Sequence, residues 1–417
     1  MSAGRKPPIS EHVATRGQNA SEFLHRFGLI SSSNTSIEIS GSDPVVPSSF
    51  MIGSAAAQAV MASASAAADF YELRGGLAQH LSVSLQHAVT ECRSERHLRI
   101  NEGPAPQLWD AVAGAYQCKD GNFVRIHTNF LHHRNGILGL LQCEPDRSAV
   151  MSALEKWNAL DFEIAATTVG LPVAMIRSFD EWDASEQALA LANEPLIRID
   201  RLTDAPPAIL SLHDRPLQGI KVIELTRIIA GPVCGRALAS HGADVLRLIG
   251  RDVPTIDALD IDTGHGKRSA YTDLDNVEDL EKLHELISEA DIFLHSYRPD
   301  ALDKYGLDAE TLLARNPQLV YASLSAYGPR GPWANRRGFD SLVQAASGYN
   351  VAEGQAFGDE IPRPLPAQLI DHATGHFLAS GIINALAQRH VQGGGWKVHT
   401  SLARTAHWVK SLVRFTF

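Results

Sequence analysis

From Ile220 to Gly328 the chain alternates short apolar runs with amphipathic stretches, and that alternation restricts the fold more than any other feature. "IKVIELT" reads as a buried strand, "PVCGRALASHG" as a helix stopped at Gly242, and "DVLRLI" as a second strand. A helix at "VEDLEKLHELISEA", a strand at "DIFLHSY", a helix at "DAETLLARN" and a strand at "LVYASLSAYG" follow, all with short connections. Strands that are apolar along their length, each followed by a helix, predict a parallel sheet covered on both faces. Ligands of such sheets bind beyond the carboxyl ends of the strands. That points to the loop "TRIIAGP" after the first strand. The loop carries no GxGxxG, so a dinucleotide fingerprint is absent, but the helix start after Gly231-Pro232 suits a phosphate.

The first half of the chain is organised differently. Residues 1–45 are rich in Ser, Gly, Pro and Asn and predict a loosely ordered arm, with a short helix at "SEFLHRFGLI". An Ala-rich helix is expected from Ser49 to Leu73, closed by Gly75-Gly76. "AYQCKDGNFVRIHTN" reads as a hairpin turning at Asp120-Gly121, followed by helices at Ser148–Trp157 and Asp161–Val169. "DRLTDAPPAILSLHDRP" has three prolines and little periodicity, which predicts a linker.

Composition narrows the class. The 417 residues carry a net charge of -10, which argues against nucleic acid as a partner. Cys92, Cys118, Cys143 and Cys234 show no metal or redox spacing, so reduced thiols, no metal and a cytoplasmic location are expected. The Ala- and Ser-rich run from Ala55 to Ala68 is too short and too weakly apolar to span a bilayer, so no membrane partner is expected.

The chain also echoes itself. The segment from Ser48 to Ala88 parallels the one from Leu365 onwards at one constant spacing, which sets Ser84-Leu85 opposite Ser401-Leu402. Each segment offers a helix, a glycine exit, an alternating strand and then Ser-Leu. Ser54 stands opposite Asp371.

"PLQGIKVIELTRIIAGPVCGRALASHGADVLRL" closely resembles the opening of family III CoA-transferases, the group of formyl-CoA and carnitine-CoA transferases within the α-methylacyl-CoA racemase superfamily. The resemblance continues through "GKRSAYTDL", "ADIFLHSYRPDALDKYGLD", "NPQLVYASLSAYGPRGPWANRRGFDSLVQAASG" and "DHATGHFLASGIINAL". It implies an α/β fold with a Rossmann-like parallel sheet in a large domain and a smaller α+β domain. "LWDAVAGAYQCKDGNFVRIHTN" and "AATTVGLPVAMIRSFDEWDASEQALA" resemble the family's later, small-domain portion, so the order of segments is rearranged. The organisation this implies is an arm at 1–45, a degenerate helix module at 46–98 that packs on the large domain, and a small domain at 99–190. A linker at 191–215 and a large CoA-binding domain at 216–417 complete it. An interlocked homodimer is implied as well.

Asp371 at the start of a long helix reads as an N-cap on its residue type alone. The resemblance makes it the catalytic aspartate, kept ionised by the helix dipole. No tightly bound cofactor is implied; coenzyme A or acyl-CoA is substrate, with a carboxylic acid as the second partner. For CoA the resemblance points to Thr226, Arg227, Ile228, Ala230, Lys267, Arg268, Tyr297, Arg298 and Lys304, where cations suit phosphate. Ile229, Arg337 and His372 are the candidates for substrate contact, with Arg336 beside them. Each of these charges also has a plain reading as solvated surface, and His372 and His376 as structural imidazoles. The apolar Ile229, where the formyl-CoA branch has a glutamine, disfavours formyl and oxalyl groups. Two rivals stay open. A racemase needs the histidine of a "GHD" motif, and Phe339 stands there; a silent CoA-binding homologue would leave Asp371 idle.

Overall fold

The protein's structure is a computed structural model that describes residues 18–104, 107–251 and 253–415. Its centre is a seven-stranded mixed sheet made of β7 (Arg198–Arg201), β8 (Lys221–Leu225), β9 (Asp244–Gly250), β10 (Arg268–Thr272), β11 (Ile292–His295), β12 (Val320–Ser325) and β13 (Trp396–Ser401). The order across the sheet is β10-β9-β8-β11-β12-β13-β7, with every pair parallel except β13 and β7. β11 and β12 are buried along their whole length, as expected of inner strands with both faces covered. The two edges are polar: β10 is mostly exposed and β7 reads "RIDR".

That edge strand corrects one expectation. Residues 191–215 are not only a linker, because Arg198–Arg201 pairs antiparallel with His399 to Trp396 and extends the sheet. The expectation of a loose arm is corrected too. Residues 1–17 lie outside the described residues, but Ser36–Ser40 forms a strand whose Ile37 and Ile39 are each 1% exposed.

The small domain has its own sheet, β4 (Gly114–Gln117), β5 (Phe123–Ile126) and β6 (Val173–Met175), all antiparallel. The β4–β5 hairpin turns at Gly121, whose φ of 80° is glycine's territory. Helices Arg147–Leu154 and Ala159–Thr168 close a separate core on Val124, Ile126, Leu154 and Phe162.

The third sheet joins β1 (Gln18–Asn19), β2 (Ser36–Ser40) and β3 (His80–Ser84). Here the sequence echo becomes geometry. β2 and β3 pair in parallel with Ser40 opposite Ser84, as β12 and β13 pair with Ser325 opposite Ser401. Ser84 caps the following helix by accepting from the His87 N–H, and Ser401 does the same from Arg404. The helices that complete the two copies, Ile52–Leu73 and Leu369–Gln392, pack against each other. Every residue from Leu369 to Arg389 is buried, because the helix Ala230–Ser240 covers another side. Gly375 permits that crossing: a Cβ there would sit 2.6 Å from the Ala230 carbonyl oxygen.

Candidate functional site

The site begins with a buried ion pair. Lys267 Nζ lies 2.9 Å from Glu224 Oε1 and donates to the Pro232 carbonyl at 2.8 Å, and both side chains are fully buried. Thr226 Oγ1 donates to the same carboxylate at 2.5 Å. Gly235 is required beside them, since a Cβ would fall 1.9 Å from Glu224 Oε2. Glu224, Thr226 and Lys267 therefore anchor the start of the helix Ala230–Ser240 and the loop before it. In that loop Ile228 adopts φ 74°, a left-handed conformation that a β-branched residue rarely takes. Strain of this kind persists only where surrounding contacts impose it.

Ile228, Ile229 and Ala230 line a cavity of about 340 Å³, at the point where β8 and β11 run out and successive connections leave the sheet in opposite directions. Tyr297 and Arg298 after β11, and Arg336 and Arg337 after β12, form its electropositive wall. Phe130 and His133 of the small domain face them. Arg227 lays its guanidinium 5.3 Å from the Phe130 ring centroid, and Arg336 lies 4.0 Å from that of Trp333. Arg298 donates to the Asn335 carbonyl at 3.1 Å. Arg337 makes no hydrogen bond or ion pair among the described residues, and Arg298 and Arg227 repel it.

Asp371 also lines this cavity and is 4% exposed. It is the third residue of its helix, after Leu369 and Ile370, and the flanking Gln368 provides no side-chain cap. The expected N-cap role is thus corrected. Asp340 does the capping: its Oδ2 accepts the Asp371 backbone N–H at 3.0 Å. The Asp371 carboxyl itself has no hydrogen-bond partner among the described residues. Burial, then Asp340 and Glu95, push its pKa well above the usual carboxylate range. Burial also raises Asp340 to about 6, against the N–H of Asp371 and the side chain of Gln344. The surroundings therefore favour the protonated form of Asp371, against the expectation that the helix dipole keeps it ionised. Desolvation next to a second carboxyl outweighs a half-charge dipole.

Four other candidates are employed elsewhere. Lys267 is sealed in its ion pair. Arg268 is exposed and forks onto Asp244 at 2.6 and 2.7 Å. Lys304 is exposed, 3.7 Å from Asp275. His372 is fully buried with Nε2 3.2 Å from Glu95 Oε2, and one turn on His376 Nδ1 meets Ser63 Oγ at 3.0 Å. Both imidazoles tie the helix to the N-terminal module rather than face the cavity. Asp340 and His133 were not singled out from the sequence. Asp340 ends the "GFD" motif in which Phe339 drew the attention; His133, from the small domain, has no local signal. Phe339 stacks on His127 at 3.9 Å.

The copy of this arrangement in the N-terminal module is filled in. Asp43 accepts from the N–H groups of Gly53 and Ser54, each at 2.8 Å, as Asp340 accepts from Asp371. The Ser54 hydroxyl bonds back to Asp43 at 2.7 Å and is buried.

Among the described residues no cluster of three or more His, Cys, Asp or Glu could hold a metal, and no helix is long and apolar enough to cross a membrane. Residues 217–413 match the model of CoA-transferase family III. An acyl-CoA transferase of Gibberella moniliformis is 35% identical over 61% of this chain and 47% of its own length. The succinate–glutarate CoA-transferase of Agrobacterium fabrum is 35% identical over 45% of this chain and 51% of its own. A crystal structure of a Mycobacterium tuberculosis protein superposes at 32% identity and a TM-score of 0.44, covering 47% of this chain and 58% of that one. The chain spans about half the length of these curated relatives. The likeness to CoA-transferase family III thus rests on residues 217–413, a little under half of the chain.

Proposed function

We propose that the protein moves CoA between an acyl-CoA thioester and a free carboxylic acid, with Asp371 as nucleophile. The observation that carries this reading is an unpartnered carboxyl that opens into the cavity below the Arg227–Gly231 loop and three arginines. The ionised Asp371 attacks the thioester carbonyl, the C–S bond breaks, and the thiolate leaves behind an aspartyl anhydride. The thiolate then attacks the aspartyl carbonyl, which releases the donor acid and leaves an aspartyl-CoA thioester. The acceptor carboxylate reverses these steps. A carboxylate suits this role because its anhydride can pass on either fragment, which a serine ester cannot do. Exclusion of water protects both intermediates.

Attack needs Asp371 as the carboxylate, so the Asp371–Asp340 pair has to give up a proton first. The order of the six parallel strands is that of doubly wound Rossmann sheets, whose ligands sit at the switch point. This supports a Rossmann-like large domain with CoA at Arg227, Ile228, Ala230, Tyr297 and Arg298, and with Arg337 and Ile229 towards the acyl group. Ile228 and Ile229 favour an apolar acyl chain over formyl or oxalyl. The interlocked homodimer is retained as a proposal that light scattering tests.

The decisive experiment incubates the chain with a panel of acyl-CoAs, quenches with hydroxylamine and maps peptides by mass spectrometry. A hydroxamate at Asp371 is the expected product; CoA binding with no hydroxamate and no exchange for any acid would make the protein a silent CoA binder.

A further inference from the structure

A second cavity, of about 830 Å³, shares no lining residue with the one that holds Asp371. It runs between the β4–β5 hairpin of the small domain and residues 361–368 of the large one. Four arginines line it, Arg96, Arg125, Arg147 and Arg363, and among the described residues no aspartate or glutamate does. In a chain of net charge -10 that is an unusual concentration of one sign.

Two of the four have carboxylates of their own: Arg96 lies 3.4 Å from Glu95 and Arg363 3.4 Å from Asp359. The other two do not. Among the described residues Arg147 hydrogen-bonds only the Ala113 and Ala115 carbonyls and the Tyr116 hydroxyl, at 3.3 to 3.4 Å. Arg125 lies 5.0 Å from the Trp109 ring centroid and makes no hydrogen bond or ion pair among the described residues. Its Nε is buried without a partner. Burial and the neighbouring Arg147 lower the pKa of Arg125 to about 10.

An independent observation lies on the opposite wall. Ser341 is 5% exposed, and its hydroxyl has no hydrogen-bond partner. Buried polar groups are nearly always satisfied, and two guanidinium groups held together without an anion cost free energy. Partly desolvated forks of this kind match phosphate oxygens in pairs. The volume suits a ligand of nucleotide size rather than a lone ion.

We propose that this cavity is a second ligand site, in which Arg125 and Arg147 hold the phosphate groups of a small phosphate-bearing molecule. The site does not depend on the transferase reading, and it is tested without acyl-CoA. Its inner wall reaches the reaction centre through Gln344, whose amide bonds Asp340 and whose Oε1 accepts the Leu365 N–H at 2.9 Å.

The test is calorimetric titration of the full chain with pyrophosphate and, separately, with ADP. A site is expected that Arg125→Met or Arg147→Met weakens about tenfold or more and that Arg337→Ala leaves unchanged, apart from any binding in the other cavity. Equal affinity for the two probes would mark a free phosphoanion as the ligand, and tighter ADP binding a nucleotide. Should the methionine variants fail to fold, Arg125→Lys keeps the charge, loses the fork and is still expected to weaken binding. The proposal is overturned if neither probe binds at millimolar concentration, if binding survives the Arg125 and Arg147 changes, or if Arg337→Ala abolishes it.

Discussion

Asp340 accepts the backbone N–H of Asp371 at 3.0 Å, so the acid that caps the helix also stands beside the acid that the helix presents to the cavity. That contact fixes the position of Asp371 and adds to the reluctance to ionise that burial gives it.

The first prediction concerns pH. In the proposed reaction Asp371 attacks as the carboxylate, and burial followed by the charge of Asp340 raises its pKa, so kcat/KM should rise with pH as the pair loses its proton. Asp340→Asn keeps an oxygen for the Asp371 N–H and removes the charge. The rise should move to lower pH by about 1 unit or more. An unmoved profile would mean that the two carboxyls do not interact.

Stability should answer with the same sign. A carboxyl whose folded pKa lies above its unfolded value favours folding only below the unfolded pKa, and that contribution is lost as pH rises through the folded one. Asp371→Asn removes this loss. The variant should melt above the parent, by more at pH 8 than at pH 5, while losing transferase activity. Calorimetric melts at the two pH values decide it.

Lys267 has a structural role in the buried pair with Glu224. Lys267→Met leaves a carboxylate unpaired inside the protein and should cost about 3–5 kcal/mol in denaturant unfolding. A loss below about 1 kcal/mol, the range of exposed pairs, would show that water reaches this pair.

Arg337 behaves in the opposite way. With no partner among the described residues, Arg337→Ala should change stability by less than about 0.5 kcal/mol. It should raise KM about tenfold through the lost charge-assisted contact. Unchanged steady-state kinetics would remove it from the substrate path.

Much of this arrangement was legible in the chain. Mostly apolar strands such as "DIFLHSY" mark the inner sheet, because a strand covered on both faces keeps few polar residues and pairs those it has. The helix presenting Asp371, the hairpin at Asp120-Gly121 and the echo around Ser54 were equally readable. Edge strands were not: "RIDR" has a single apolar residue, Ile199, because one side of it stays wet, and it pairs only when β13 offers an open edge. Nor could residue type separate Lys267 from Arg337. One is sealed against Glu224 and the other faces the cavity, although both sit in family-like motifs.

Local pattern thus determined the alternating elements and the place of Asp371 at the start of a long helix, since burial periodicity and motif spacing are properties of neighbouring residues. Only the tertiary structure decided that Asp371 is buried beside Asp340, which raises its pKa, and that Arg125 and Arg147 line one cavity. Electrostatic free energy depends on distance and desolvation between groups far apart in the chain, and folding alone sets both.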